Sequence, residues 1–293
     1  MAGGVDLISL MKDGVVEPKA LVNLKTIQDL TYIREDAEGL KIGALTSIDE
    51  IENARVIKDK YTMIAEAAHS VASPQVRNMA TIGGNLCQEV RCWYYRRSPV
   101  TGTSFYCLRK GGKHCYAIAG RNEYHAIFRT GKCFAVCPSD LAPALIALEA
   151  KVKVARLDGE RVVPLERFYT PLGNILEPDE IITEILVPAQ PPDSKQKYLK
   201  FRLRKSIDFA ISSVAASIIA ESGRITKARI VLGGVAPTPY RAIRAEEVLK
   251  GQMITASVVE ASAKAAVKEA KPLSLNAYKV PITEALVKRA IVG

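Results

Sequence analysis

All six cysteines of this 293-residue chain lie between positions 87 and 137, and this clustering limits what the chain can fold into. From about residue 81 to residue 139 the sequence also loses the apolar periodicity of helices and strands. Connections longer than about 15 residues are uncommon in compact domains unless they are functional or disordered. We therefore expect a functional, loop-like segment between two regular parts of the fold.

The cysteine spacings, C-x4-C-x14-C-x7-C-x17-C-x3-C, are compatible with more than one chemistry. Disulfides are disfavoured, because disulfide frameworks belong to small secreted domains. Structural zinc uses closely spaced pairs, of which Cys87–Cys92 and Cys133–Cys137 are borderline examples. An iron–sulfur cluster needs four thiolates, which loops of uneven length can bring together. The spacing leaves zinc and iron–sulfur open, with His114 either a competing ligand or a surface histidine.

The cysteine segment also holds part of the chain's formal net charge of +10. Between residues 91 and 132 the only acid is Glu123, against the basic residues Arg91, Arg96, Arg97, Arg109, Lys110, Lys113, Arg121, Arg129 and Lys132. Such a run is compatible with a solvated face, with binding of nucleic acid or an acidic partner, or with compensation of an anionic centre held by the cysteines.

The rest of the chain predicts an α+β protein. Prolines and a polar run near 185–197 mark the best domain boundary, and strands followed by helices after it indicate α+β layering. Apolar patterns predict helices over 5–12, 47–54, 61–72, 139–150, 242–250, 255–270 and 283–291, and strands over 20–24, 40–45, 151–156, 197–204, 209–220 and 227–236.

The apolar content and the N-terminal residues indicate the cellular compartment of the protein. The most apolar window, residues 209–220, is too short for a bilayer, which takes about 18–20 residues. No signal peptide is visible at the N-terminus. We therefore expect a cytoplasmic protein without membrane insertion, with export alongside a signal-bearing partner left open.

Two double-glycine loops are the clearest candidates for ligand binding: "AGGVD" (2–6) and "ATIGGNL" (80–86). Glycine allows a backbone to approach an anion closely, and N–H groups can then bind phosphate oxygens. Neither loop fits the G-x-G-x-x-G or Walker A pattern, so dinucleotide-binding Rossmann and P-loop folds are not indicated.

With their flanks, these loops resemble one family. "LKIGALTSIDEI", "VASPQVRNMATIGGNLC", "PSDLAPALIALEAKV" and "VLGGVAPTPYRA" are similar, in order, to the FAD-binding (medium) subunit of molybdenum hydroxylases, the xanthine oxidase and carbon monoxide dehydrogenase family. The resemblance implies an FAD-binding domain of the PCMH/vanillyl-alcohol-oxidase-like type over 1–188, with an iron–sulfur insertion at about 87–137. A smaller α+β domain over 189–293 would follow.

The resemblance also implies the cofactor contacts. The FAD pyrophosphate would lie on the two loops, Ser139 and Asp140 would accept hydrogen bonds from ribityl or ribose hydroxyls, and Lys200 would lie near the flavin. The loop positions are Ala2, Gly3, Gly4, Val5 and Asp6, then Thr81, Ile82, Gly83, Gly84 and Asn85. Two departures from the family pattern stand out. Val5 replaces a usual Thr or Ser hydroxyl, and the chain begins on the first loop without the strand that normally leads into it.

The insertion resembles that of 4-hydroxybenzoyl-CoA reductases and periplasmic aldehyde oxidoreductases, whose flavin subunits carry an extra [4Fe–4S] cluster. This likeness implies the ligands Cys92, Cys107, Cys115 and Cys133, and leaves Cys87 and Cys137 near the flavin.

The expected function is electron transfer in a complex, with no catalytic side chain on this chain. FAD and the [4Fe–4S] cluster would pass electrons between a molybdenum-cofactor large subunit, a small subunit with two [2Fe–2S] centres and an external carrier. Such a complex would be a heterotrimer or a dimer of heterotrimers, without nucleic acid. The alternative is a zinc-stabilised basic binding module with a degenerate flavin site.

Overall fold

The computed structural model describes residues 1–97 and 104–293. Residues 98–103 of the expected insertion lie outside the described residues. The helices are α1 (Val5–Lys12), α2 (Ile48–Asn53), α3 (Arg55–Lys60), α4 (Thr62–Ser70), α5 (Pro74–Met79), α6 (Ile82–Cys87), α7 (Leu141–Ala147), α8 (Ile243–Leu249), α9 (Ala256–Val267) and α10 (Lys279–Val292). The strands are β1 (Ile33–Asp36), β2 (Gly39–Gly43), β3 (Lys151–Arg156), β4 (Gly159–Pro164), β5 (Tyr169–Thr170), β6 (Gly173–Asn174), β7 (Ile181–Pro188), β8 (Lys195–Phe201), β9 (Ser212–Glu221), β10 (Arg224–Gly233) and β11 (Tyr240–Arg241).

The first sheet has the strand order β1-β2-β7-β3-β4, with antiparallel neighbours throughout. In β3 the side chains of Val152 and Val154 are buried and their neighbours are not, as the period of two predicts. Helices α2, α4 and α7 bury Ile51, Ile64 and Leu145 in the same apolar core as this sheet.

The second sheet, with the order β11-β10-β9-β8, lies between two apolar cores. Ala215 of β9 belongs to the core of the first sheet. Its neighbours Val214 and Ala216 belong to a second core, which contains Val287 of α10. A strand that is buried on both faces has a continuous apolar sequence without alternation, which explains the apolar run of β9.

The cysteine segment has little regular structure and is held by side chains from the C-terminal part. The buried Asn276 amide donates to the carbonyl oxygens of His125 and Ala126 at 3.0 and 3.1 Å. The buried ammonium of Lys279 donates to the carbonyl oxygens of His125 and Gly234 at 3.1 and 2.6 Å. Burial lowers the pKa of Lys279 to about 7. The segment is therefore attached to the fold although most of its described residues lie outside helices and strands.

Most of the predicted elements are confirmed, including the α+β class, the helix over 5–12 and the strand over 151–156. The predicted strand over 20–24 is wrong. Asn23 accepts a hydrogen bond from the Lys25 N–H at 3.2 Å and starts a single 3₁₀ turn instead. Leu21 and Val22, which suggested a strand, are exposed, so no sheet face buries them.

Among the described residues, no helix has the length and apolar character needed to cross a membrane.

The start of α2 provides a test of the fold. Ser47 accepts from the Glu50 N–H at 3.1 Å, and Glu50 accepts from the Ser47 N–H at 2.8 Å, which is a capping box. We expect Ser47→Ala to lower the free energy of unfolding by about 1 kcal/mol, because an N-terminal N–H group loses its acceptor. Glu50→Gln keeps a side-chain acceptor and should lose less. Urea denaturation measures both, and a Ser47→Ala variant as stable as the wild type would contradict this interpretation.

Candidate flavin site

The two double-glycine loops pack against each other and border one large cavity. A Cβ on Gly3 would lie 2.0 Å from the carbonyl oxygen of Met79, the last residue of α5. The second loop begins at the next residue, Ala80, so the two loops are adjacent in space. The cavity has a volume of about 1050 Å³. Its lining includes the predicted residues Ala2, Gly3, Gly4, Val5, Asp6, Thr81, Gly84, Asn85, Asp140 and Lys200.

The first loop presents the N-terminus of α1 to the cavity. Gly4 adopts a left-handed φ of 75°, a conformation that favours glycine, and its carbonyl oxygen accepts the Ile8 N–H at 2.9 Å. Within the described parts of the chain, the N–H groups of Val5, Asp6 and Leu7 have no hydrogen-bond acceptor. Unpaired N–H groups and the positive end of the helix dipole suit an anionic ligand.

In the second loop, Ile82 and Gly83 fasten the backbone to the segment after β2. The Ile82 N–H donates to the Thr46 carbonyl oxygen at 3.0 Å, and the Gly83 N–H donates to the Ala44 carbonyl oxygen at 2.9 Å. A Cβ on Gly83 would lie 2.9 Å from that same Ala44 oxygen. These two residues are absent from the cavity lining, so the structure gives them a positioning role.

Gly84, in contrast, is exposed and faces the cavity. A Cβ there would meet only the Thr81 hydroxyl, at 3.0 Å. Thr81 caps α6 by accepting the Gly84 N–H at 3.2 Å, and Asn85 accepts from the Ser139 hydroxyl at 2.6 Å. The missing side chain of Gly84 therefore leaves room for a ligand to approach the backbone.

Asp140 and Lys200 form a buried ion pair in the cavity wall. Lys200 Nζ lies 2.6 Å from Asp140 Oδ2, and the Tyr198 hydroxyl donates to Asp140 Oδ1 at 2.7 Å. Lys200 also donates to the Ser70 carbonyl oxygen at 3.0 Å. Both carboxylate oxygens of Asp140 thus have protein donors, and Ser139 is turned toward Asn85. These contacts hold the wall together across the domain boundary.

Several other residues that line the cavity were not predicted from the sequence. Ile207 is half exposed and has a left-handed φ of 65°, a backbone conformation that β-branched residues rarely adopt. Phe209 lies two positions further along the chain, and the Arg91 guanidinium lies 4.1 Å from the centre of its ring. Arg91 and Arg96 reach the cavity from the cysteine segment. A single aromatic residue in an irregular segment, such as Phe209, does not reveal from the sequence that it lines a cavity.

The four cysteines expected to bind a cluster are divided between two small cores of the cysteine segment. Cys107 and Cys133 share one buried core with Tyr95, and Cys92 packs against it, whereas Cys115 packs against a second core that contains Phe134. Burial raises the pKa of Cys92 to about 12, and negative charge on Cys133 and Cys115 contributes to the rise. Burial also raises the pKa of Cys115, with contributions from Cys133 and Cys107.

Backbone N–H groups face two of these thiols. Those of Tyr94 and Tyr95 lower the pKa of Cys92 against the effect of burial, and those of Ala117 and Phe134 do the same for Cys115. His125 Nε2 lies 3.3 Å from Cys92 Sγ. Hydrogen bonds of this kind stabilise thiolates, which are the form that binds metals.

Of the other two thiols, Cys87 lines the cavity, and Cys137 is buried next to Pro138, which also lines it. Both thiols influence the hydroxyl of the partly buried Tyr169. Burial raises the pKa of Cys87 to about 12 and that of Cys137 to about 11. Within residues 1–97 and 104–293, no group of three or more His, Cys, Asp or Glu side chains is arranged to hold a single metal ion.

Comparison with known proteins identifies the family. Residues 1–190 match the FAD binding domain in molybdopterin dehydrogenase, and residues 197–292 match the CO dehydrogenase flavoprotein C-terminal domain. The chain belongs to this family. It is a flavin-binding subunit of the molybdenum hydroxylase-type oxidoreductases.

Individual relatives agree with this assignment. The chain is 35% identical to the aldehyde oxidoreductase FAD-binding subunit PaoB of Escherichia coli (strain K12), over 82% of this chain and 76% of that protein. It is 29% identical to the carbon monoxide dehydrogenase medium chain of Hydrogenophaga pseudoflava, over 99% and 87%. A solved carbon monoxide dehydrogenase from H. pseudoflava, which lacks the Mo-pyranopterin moiety of the molybdenum cofactor, superposes with a TM-score of 0.79 at 28% identity, covering 100% of this chain and 87% of that one.

The cavity fits the family's cofactor. Its loop end offers unpaired N–H groups and the open backbone of Gly84, which suit a pyrophosphate. Its lining also includes the apolar side chains Val71, Val76, Ile207 and Phe209, which suit an aromatic ring system.

Gly84 and Gly83 give a matched pair of tests. We expect Gly84→Val to lose most FAD binding, because the new side chain occupies the space beside the loop, and to lose some stability, because its Cβ meets the capping hydroxyl of Thr81. Gly83→Ala should instead lower the melting temperature, because its Cβ meets the Ala44 backbone. Fluorescence titration with FAD and thermal denaturation measure the two effects, with Gly173→Ala, where a Cβ meets nothing, as control. Undiminished FAD binding by Gly84→Val would contradict the assignment of this loop.

Proposed function

We propose that this chain is the electron-transfer subunit of a heteromeric molybdenum hydroxylase-type complex. It would pass electrons between partner subunits, which hold the molybdenum cofactor and [2Fe–2S] centres, and an external carrier. The observation that carries this proposal is the cavity between the two double-glycine loops, in a chain of the flavin-binding family. Relatives named "medium chain" and "FAD-binding subunit" support a place in a larger assembly.

The chain's own part is to bind and orient FAD. The N–H groups at the start of α1 would hold the pyrophosphate, and Gly84 would leave room for it beside the second loop. Phe209 and Ile207 would border the ring system. Bound FAD supplies the exchange between two-electron and one-electron transfer. In this arrangement Ser139 and Asp140 orient Asn85 and Lys200 and do not act as free acceptors.

We further propose that Cys92, Cys107, Cys115 and Cys133 hold a [4Fe–4S] cluster, a one-electron centre. The influence of Cys133 on both Cys92 and Cys115, and the N–H groups that face these two thiols, support this ligand set.

The zinc-stabilised binding module has less support. Both halves of the chain match flavoprotein models, whereas that alternative gives no reason for a cavity bordered by both glycine loops. In the proposed iron–sulfur flavin subunit, the basic residues of the cysteine segment would compensate the negative charge of the four thiolates.

Iron analysis of the full chain tests the cluster. We expect about four iron and four sulfide per chain, because one [4Fe–4S] cluster has this composition. Cys107→Ser should lose the iron and the EPR signal of the reduced cluster while FAD content stays near that of the wild type. Cys137→Ala serves as control and should keep its iron, because this buried thiol is not one of the four proposed ligands. One zinc per chain without iron would contradict the cluster and leave the flavin assignment untouched.

Co-expression tests the assembly. We expect an affinity-tagged chain, when it is expressed together with its neighbouring genes, to purify with a molybdenum-containing subunit and a [2Fe–2S] subunit. Purification of the tagged chain alone from a host that makes all three would contradict the proposed complex.

A further inference from the structure

Two arginines at the start of the cysteine segment reach back to the first glycine loop. Arg96 Nη2 donates to both carboxylate oxygens of Asp6, at 2.8 and 3.0 Å. Arg91 Nη2 lies 2.9 Å from Asp6 Oδ1, and the Glu89 N–H donates to Asp6 Oδ2 at 2.8 Å. Asp6 is the second residue of α1, so these bonds fix the first turn of the helix whose N–H groups face the cavity.

The two guanidinium groups are themselves held in place. Arg96 Nε donates to the Val90 carbonyl oxygen at 2.8 Å, and Arg91 Nη1 donates to the Glu89 carbonyl oxygen at 2.7 Å. Arg91 also lies over the ring of Phe209, from the turn after β8. Asp6, Arg91 and Arg96, here called the Asp6 cluster, therefore connect the loop end of the cavity to its aromatic wall.

The Asp6 cluster carries more positive than negative charge. Two largely buried guanidinium groups share one carboxylate. The nearby Glu89 carboxylate lies 3.4 Å from a third arginine, Arg109. Burial and repulsion by Arg96 lower the pKa of Arg91 to about 10, so Arg91 stays charged at neutral pH in surroundings short of negative charge. An anion beside this cluster would gain charge-assisted hydrogen bonds.

We propose that the start of the cysteine segment is part of the flavin site. Arg91 and Arg96 hold Asp6 and the first turn of α1 in position, and their excess positive charge attracts the cofactor's pyrophosphate. This inference rests on the flavin-binding role proposed above. It explains how the site binds phosphate although Val5 offers no hydroxyl in the first loop, and it makes the insertion necessary for the flavin site.

Comparing FAD with riboflavin, which lacks the phosphates, tests the proposal on the flavin-free full chain. In Arg91→Gln and Arg96→Gln we expect the dissociation constant for FAD to rise about tenfold or more, because charge-assisted bonds are lost, with little change for riboflavin. Arg121→Gln is the control, because this exposed arginine of the same segment pairs with Glu123 and not with Asp6. Fluorescence titration measures binding, and thermal denaturation of the flavin-free chain measures folding.

Asp6→Asn separates positioning from charge alone. This variant makes the cavity more positive, so attraction alone would tighten FAD binding, whereas loss of the fixed α1 turn weakens it. The proposal predicts weaker binding. Where a glutamine variant fails to fold, Arg91→Lys and Arg96→Lys keep the charge, and we expect them to retain FAD binding better than the glutamine variants.

The outcomes separate this inference from the flavin assignment. Wild-type affinity for FAD in both glutamine variants, an equal loss for FAD and riboflavin, or tighter FAD binding by Asp6→Asn would each overturn the role of the Asp6 cluster. A wild-type chain that binds neither flavin would instead overturn the flavin function itself.

Discussion

The site depends on the close packing of the first glycine loop against the backbone that leads into the second. Gly3 leaves no room for a side chain beside Met79, and Gly83 leaves little beside Ala44. These contacts bring the two loops to the same end of one cavity although they lie about eighty positions apart. Gly84 has the opposite surroundings, because the space beside it opens into the cavity. Three glycines of the same motifs therefore serve two purposes, loop packing and access for the ligand.

The second half of the chain completes the cavity through a shared sheet. Alternate residues of β9 belong to two cores, so the C-terminal domain is packed directly on the flavin domain. The buried pair of Asp140 and Lys200 crosses the same boundary. In turn, Asn276 and Lys279 hold the cysteine segment through its backbone carbonyl groups. Flavin loops, C-terminal domain and cysteine segment thus form one connected structure around the site.

The sequence predicted the elements with local signals well. Ser47 and Glu50 stand at capping-box spacing, the alternation of β3 indicated its bounds, and the loop motifs predicted most of the residues that border one end of the cavity. Long-range features could not be predicted in this way. The bonds between Asp6 and Arg96 span ninety positions, and the left-handed backbone at Ile207 has no sequence signature. The strand expected over 20–24 was wrong because apolar content alone does not show whether a sheet is there to bury it.

The proposed occupant of this cavity is FAD. The most direct measurement is identification of the flavin released when the purified full chain is denatured, by chromatography against FAD, FMN and riboflavin standards. The structure predicts FAD, at about one per chain, because the cavity combines a phosphate-binding loop end with an apolar wall. Release of FMN alone, or a protein that contains no flavin and takes up none from solution, would contradict it.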